Sequence, residues 1–365
     1  MGIGFFNAVT ERTYARINNI ETNEIRKALM EPVTNYNILV LDQRFGDKSA
    51  VSFLNTNTIR EGNFRDANVS GGYLDLTNKK NTWNYTASAE GSWVMEERTK
   101  FGFEGQTGIA KISGKHRFEG GFDLRTRDYD INDMGYSAQT NYISYFSHYG
   151  YRILQPKGFL NNMFLNFNLR LFNRLEPALY GKFVFNFNSS FTTKDFLSFG
   201  GGFEVTPFGD NDFYEPRIPE RHVNVPTYYN PWVWIESDSR KKLSLGFVVD
   251  WYKFDEMGRG RLDLNLRPRY RISDKLNINL TTELSLLDKD RGFVDYEGAS
   301  NTITFGQRNR NTIVNSLGGN YIFNNKMALN LAFRHYFTEV NYNQFFNLQP
   351  NGELQLSPGQ ANNYD

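Results

Sequence analysis

The stretch Arg261-Leu262-Asp263-Leu264-Asn265-Leu266-Arg267-Pro268-Arg269-Tyr270-Arg271-Ile272 decides the fold class. Leu262, Leu264, Leu266, Tyr270 and Ile272 share one parity, with Pro268 among them. Arg261, Asp263, Asn265, Arg267, Arg269 and Arg271 share the other. Successive side chains of a β-strand point to opposite faces, so this is a strand with one greasy and one charged face. After a turn at Ser273-Asp274 the pattern resumes. Leu276, Ile278, Leu280, Leu284 and Leu286 oppose Asn277, Asn279, Thr281, Glu283 and Ser285.

The same alternation recurs outward in both directions. Met163, Leu165, Phe167, Leu169 and Leu171 oppose Phe164, Asn166, Asn168 and Arg170. Leu243, Leu245, Phe247, Val249 and Trp251 oppose Ser244, Gly246 and Asp250, and Met327, Leu329, Leu331 and Phe333 oppose Asn330 and Arg334. Phe118, Phe122 and Leu124 oppose Arg117, Glu119, Asp123, Arg125 and Arg127. Short polar turns join many runs: Phe45–Lys48, Asn78–Asn81, Ser113–Lys115, Ser237–Lys241, Ser273-Asp274 and Asn324–Lys326. Longer polar stretches read as loops: Thr58–Ser70, Asp128–Thr140, Pro207–Tyr228, Asp288–Arg310 and the tail after Thr338. Short turns alternating with long loops is the outer-membrane rule. The expectation is an all-β fold, a transmembrane antiparallel β-barrel of about 16–18 strands with short periplasmic turns and long extracellular loops. Roughly 17 runs of about 9–13 residues suit a tilted bilayer crossing, whereas sandwich strands need only ~5–6. No fixed-period repeat speaks for a propeller. Glu21–Glu31 has some helical character, but Pro32 and the β pattern beyond it favour a turn and strand.

Bulk composition fits a wall with one wet face. Of 365 residues only 39% are hydrophobic and mean hydropathy is −0.56, yet there are 32 Phe and 21 Tyr. The longest aliphatic run, Ile38-Leu39-Val40-Leu41, is far short of the ~20 residues of a spanning helix. Cys is absent, which removes disulfides and thiolate metal sites. A net charge of +1 argues against nucleic acid as a partner. Met1-Gly2-Ile3-Gly4-Phe5-Phe6 has no basic start or cleavable apolar segment and reads as mid-strand. Residues 1–365 are therefore expected to be one barrel domain, truncated at both ends. The tail from Asn341 is expected to be an external loop that lacks a returning strand.

Enzyme signatures are missing: there is no G-x-S-x-G elbow, no H-E-x-x-H and no Walker loop. His116, His148, His222 and His335 are scattered too widely for a metal site. Asp288, Asp290, Asp295 and Glu297 have a loose calcium-loop flavour without the EF-hand glycine and closing glutamate. No cofactor is expected, and Ca2+ at 288–297 is the one weak candidate. Asp210, Asp212 and Glu215 lie beside Arg217 and Arg221 and read as solvated loop carboxylates. The charged strand faces say more. A charge facing lipid near the midplane costs about 2–4 kcal/mol, so Arg117, Glu119, Asp123, Arg125, Arg127, Arg261, Asp263, Arg267, Arg269, Arg271, Glu283 and Arg334 must point into a lumen. That ladder is either a selective path for anionic or hydroxylated solutes or a lumen packed with salt bridges. Trp93, Tyr145, Tyr149, Tyr151 and Trp251 fit interface girdles. Tyr228, Tyr229, Trp232 and Trp234 fit a girdle too, with sugar stacking as the alternative.

Several stretches resemble a family of large Bacteroidota outer-membrane barrels, described as domain of unknown function 5916. They are Gly2–Ala8, Glu31-Pro32-Val33-Thr34-Asn35-Tyr36-Asn37, Leu39-Val40-Leu41-Asp42-Gln43, Arg60-Glu61-Gly62 with Ala67-Asn68-Val69, Phe199-Gly200-Gly201-Gly202-Phe203, and Ser237–Lys241. The resemblance implies a longer parent with a signal peptide, a carbohydrate-binding family 9-like sandwich ahead of the barrel, and a final strand beyond residue 365. Some members are labelled membrane-associated hydrolases, but no motif supports that label and no catalytic residue carries over. The expected role is an outer-membrane barrel for surface glycan binding or solute passage, with lipid, glycans and envelope proteins as partners. The alternatives are a surface hydrolase with its site in the loops, and a structural barrel that docks other envelope proteins.

Overall fold

The computed structural model describes residues 1–357; the polar end Asn362-Asn363-Tyr364-Asp365 lies outside them. Strand makes up 71%, and no helix occurs among the described residues. The chain groups into two compact units, Met1–Ser147 with Phe172–Leu179 and His148–Leu171 with Tyr180–Asp365.

The first unit holds β1 (Gly2–Thr10), β2 (Thr13–Asn18), β3 (Ile25–Glu31), β4 (Thr34–Phe45), β5 (Ser49–Arg60), β6 (Asp66–Thr77), β7 (Trp83–Met95), β8 (Lys100–Lys111) and β9 (His116–Arg125). From β4 to β9 each strand pairs antiparallel with the next, and β1 pairs with β4. The Glu21–Glu31 region is the turn and second strand of the separate β2–β3 hairpin. Next come β10 (Tyr142–Ile153) and β11 (Leu160–Arg174), which give one end to each unit.

The second unit continues with β12 (Leu179–Thr193), β13 (Ser198–Val205), β14 (Asp210–Asp212), β15 (Val223–Val225), β16 (Tyr228–Glu236), β17 (Leu243–Phe254) and β18 (Gly260–Arg271). It ends with β19 (Leu276–Glu297), β20 (Thr302–Asn324), β21 (Met327–Leu348) and β22 (Leu354–Leu356). The antiparallel path is β12–β13–β16–β17–β18–β19–β20–β21–β22, with the small β14–β15 hairpin set on the loop between β13 and β16. Among the described residues, 17 of the 22 strands are eight residues or longer.

Register turns the sequence parity into two continuous faces. Directly opposed residues of an antiparallel pair point to the same side of the sheet. Phe247 opposes Leu266, Val249 opposes Leu264 and Trp251 opposes Leu262. Leu262 then meets Leu286 and Leu264 meets Leu284, Leu280 meets Leu317, and Leu317 meets Phe333. The result is one apolar band across β17–β21, and it is uncovered: Phe247 is 41%, Leu266 46%, Phe333 59% and Leu331 62% exposed. On the reverse face Ser244 opposes Arg269 and Asp250 opposes Asp263. Asn265 opposes Glu283, and Ser316 opposes Arg334. A buried apolar cluster of Val223, Ile303, Phe305, Phe346 and Leu348 sits at the loop end of this unit.

Three loop expectations need correction. Thr58–Ser70 is mostly strand: β5 runs to Arg60, β6 starts at Asp66, and the Asp66 Oδ1 accepts the Arg60 N–H at 2.6 Å. Asn57, Asn68 and Ser70 on the otherwise apolar face hid the period. Asp288–Arg310 is a long hairpin, with β19 reaching Glu297 and β20 starting at Thr302. Register shifts at Leu287/Asp290 and Phe293/Asp295 reset the parity there, and a bulge of this kind breaks strict alternation. The tail after Thr338 is no external loop at its start, because β21 continues to Leu348 and turns back into β22. A ladder needs only backbone groups, so polar residues on both faces do not end it.

Candidate functional site

In the first unit the polar face carries Glu90, Glu104 and Arg125, and the Asp128–Thr140 loop lies on it. Glu90 opposes Glu104 across β7–β8, and Glu104 opposes Arg125 across β8–β9. Arg125 grips Glu104 with both arms, Nε to Oε2 at 2.7 Å and Nη2 to Oε1 at 3.2 Å. A guanidinium held in this bidentate way is both oriented and neutralised. The loop residue Tyr129, 2% exposed, donates its OH to Glu90 Oε2 at 2.9 Å, and Tyr73 donates to Oε1 at 2.7 Å. Of the expected ladder residues here, Glu119, Asp123 and Arg125 share this face through Ala110, Gln106 and Glu104. Arg117 has the same parity, but its Nε donates to the Gly114 carbonyl in the hairpin turn. Arg127 lies past the end of β9, and its Nη2 donates to the Glu176 carbonyl.

In the second unit Arg261, Asp263, Arg267, Arg269, Arg271 and Glu283 line one face of β18–β19, and Arg334 continues it on β21. They form a wall rather than one converging site. Arg261 pairs with Asp263 at 2.6 Å, Arg267 and Arg269 are exposed, and Arg271 donates to the Arg240 carbonyl in a turn. Amides extend the wall: Asn166 Nδ2 donates to Asn188 Oδ1 at 2.8 Å and Asn168 Nδ2 to Asn186 Oδ1 at 3.0 Å.

The four aromatics separate by parity and do not share one face. Trp232 opposes Asp250, Trp234 opposes Val248 and Tyr228 opposes Phe254, so all three share the polar wall. Tyr229 alone of the four points with Val233 and Ile235 to the apolar side, where it is 55% exposed. The indoles lie over Gly202 and Gly200 of β13: a Cβ there would sit 2.7 Å from Trp232 and 2.8 Å from Trp234. Only glycine leaves room for that approach. The Gly200-Gly201-Gly202 run was the available signal that bulky rings cross the neighbouring strand.

The wall deepens into a cavity of about 370 Å3 where the Pro207–Tyr228 loop folds over β17–β20. Asp210, Asp212 and Glu215 line it together with Arg259, Asp288 and Asp290. These carboxylates are structural rather than merely solvated. Asp212 accepts the Tyr214 and Glu215 N–H groups, and Glu215 accepts the Phe293 N–H at 2.9 Å. Lys182 bridges Asp210 at 3.2 Å and donates to the Tyr228 OH at 2.9 Å. Asp288–Glu297 is stretched along β19, with Asp290 engaged by Arg308 at 3.0 Å. Among the described residues no group of three or more His, Cys, Asp or Glu is placed to hold a metal ion.

Burial pushes the Asp210 carboxyl up to about 6, against the pull of Lys182. A raised folded-state value means that the protonated form favours folding. Its contribution is complete below the ordinary aspartate range and is lost as pH rises through 6. Asp210→Asn is expected to flatten stability between about pH 4 and 6, a change on the order of 1–2 kcal/mol after allowing for partial solvent access. Urea midpoints across that range would measure it, and an unchanged slope would contradict it.

The family model described as Domain of unknown function (DUF5916) matches residues 1–365. No curated protein matches the chain.

Proposed function

Since the chain belongs to that family of unknown function, its own geometry has to carry the reading, and we propose that it forms the wall of a transmembrane β-barrel in a Gram-negative outer membrane. The polar face lines the lumen and handles hydroxylated solutes, glycans among them. The observation behind this is the uncovered apolar band across β17–β21 with a charged reverse face. Leaving a large apolar side chain in water forfeits about 1.5–3 kcal/mol of burial energy, so a band of this extent is stable only against an apolar phase. Lipid supplies that phase, and beneath the band each strand from β17 to β20 is laddered to a neighbour on both sides, which meets the backbone's need for partners there. The lumen's chemistry follows from its residues. Arginines and carboxylates alternate with Asn, Ser and Thr, so neither sign of charge dominates, and hydroxyl-bearing solutes find donors and acceptors together.

Nitroxide labels test the facing. In lipid vesicles, labels at Leu262, Leu264, Leu266 and Leu280 are expected to relax with dissolved oxygen. Labels at Arg267, Arg269 and Glu283 are expected to relax with a water-soluble nickel chelate. Arg269 in lipid and Leu266 in water would overturn the proposal.

A further inference from the structure

We infer that the cavity under the Pro207–Tyr228 loop is a binding site for a short, uncharged saccharide, an assignment that rests on the lumen reading above. Two features of the second unit lead to it. The first is that hydrogen-bonding capacity remains where much of the charge is already paired. Around the cavity Asp210 is bridged by Lys182, Arg261 by Asp263, Arg291 by Glu256 and Asp290 by Arg308. Yet Asp210 Oδ1 and the Nε atoms of Arg291 and Arg310, all buried, have no hydrogen-bond partner. Leaving such groups unsatisfied costs about 1–3 kcal/mol each, which is recovered by a ligand that supplies both a donor and acceptors. A sugar hydroxyl is both at once. A phosphate would meet the five cavity carboxylates Asp210, Asp212, Glu215, Asp288 and Asp290, and a divalent cation the four arginines Arg259, Arg261, Arg291 and Arg310.

The second feature is the cavity's mixed lining and its size. Val223, Val225, Phe254, Leu287, Phe305 and Leu354 provide an apolar surface for the C–H faces of a pyranose. The volume of about 370 Å3 is at the small end of ligand pockets, which run to about 1,000 Å3. That suits a short saccharide better than a polymer threading through. Tyr228 and Tyr252, with ring centroids 6.0 Å apart, border the same space.

Calorimetric titration of the full chain in detergent micelles tests the site. The probes are cellobiose, maltose and lactose, with dialanine and inorganic phosphate as charged comparisons. At least one disaccharide is expected to bind saturably and to shield the 207–227 loop from hydrogen exchange. Asp210→Asn, which keeps the side-chain shape, and Arg310→Gln, which removes the guanidinium with its Nε, are each expected to weaken binding about tenfold, or about 1.4 kcal/mol. Should a variant lose its fold, protection of the loop in the unmodified protein still locates the ligand. The assignment is overturned if no disaccharide binds, if binding leaves the loop unprotected, or if dialanine or phosphate binds more tightly. Failure of the membrane reading would appear in the label experiment and not here, because the titration needs only the folded second unit within the whole chain.

Discussion

Leu266→Arg is expected to cost about 2–4 kcal/mol when the protein is folded into lipid vesicles, while Asn265→Arg next to it costs little. Leu266 lies in the apolar band opposite Phe247, and Asn265 lies on the reverse face opposite Val248 and Glu283. In a hydrocarbon environment the guanidinium at 266 loses its water, and no carboxylate on that face takes its place. At 265 it joins a wetted wall where Glu283 is its cross-strand neighbour, a pairing worth about 0.2–1 kcal/mol in its favour. A protein whose apolar band faced water would behave differently. Leu266 is 46% exposed, and an exposed surface substitution ordinarily shifts stability by no more than about 0.5 kcal/mol. The two environments therefore predict effects that differ several-fold at one residue. Urea unfolding from vesicles, with each variant compared with the parent, distinguishes them. A harmless Leu266→Arg would remove the support for a lipid-facing band.

The strands on which that prediction rests were readable because period two survives wherever one face is greasy. Arg261–Ile272 shows it without interruption, and its partner β17 continues the same parity in register. Legibility fails where that contrast fades. Near the loop ends of β5 and β6 the outward residues are Asn55, Asn57, Asn68 and Ser70, and a strand looks like a loop. In β19 and β20 the shifts at Leu287/Asp290 and Gln307/Arg308 move the parity, and a rule that counts residues cannot follow it. Tyr228 and Tyr229 are neighbours in a strand, so they cannot both belong to one girdle. Which of them lies on the apolar face depends on the pairing of Tyr229 with Lys253 and of Trp232 with Asp250, and a single sequence does not state a register. The cavity was legible least of all. Asp210 becomes a buried group only when β14 meets Lys182 of β12, a contact between residues far apart in the chain. Composition alone made it one more loop carboxylate.

Asp133→Asn is expected to release the 126–141 loop from the polar face at a cost of about 3 kcal/mol, through two arginines at once. The Asp133 side chain is 8% exposed, and it bridges Arg60 at 2.8 Å and Arg65 at 2.7 Å. Arg65 also reaches Asp130 at 2.7 Å, so removing one carboxylate leaves three charges in place of a balanced four-membered cluster. The penalty comes mainly from the near-buried Arg60, 19% exposed, and less from Arg65, which at 33% retains access to water. The loop is also held by shape. A Cβ on Gly102 would lie 2.1 Å from the Tyr129 backbone, an overlap with main chain that no side-chain rotation relieves. Gly102→Ala is thus an independent way to lift the loop without touching a charge. Acid provides a third. Burial works against ionised Asp130, but the Asn132 N–H and the Arg65 guanidinium outweigh it and hold Asp130 below the usual carboxylate range. For a depressed group the stabilisation is present above the ordinary value and is lost as pH falls through the folded one. The loop should therefore loosen below about pH 4, and not on the alkaline side. Hydrogen exchange of residues 126–141 reads all three perturbations. Faster exchange confined to that loop and to the facing Ser92, whose Oγ accepts the Asp130 N–H at 3.0 Å, is the expected result. Protection equal to that of the parent in both Asp133→Asn and Gly102→Ala would mean that the loop is held by something other than the charge cluster and its fit against Gly102.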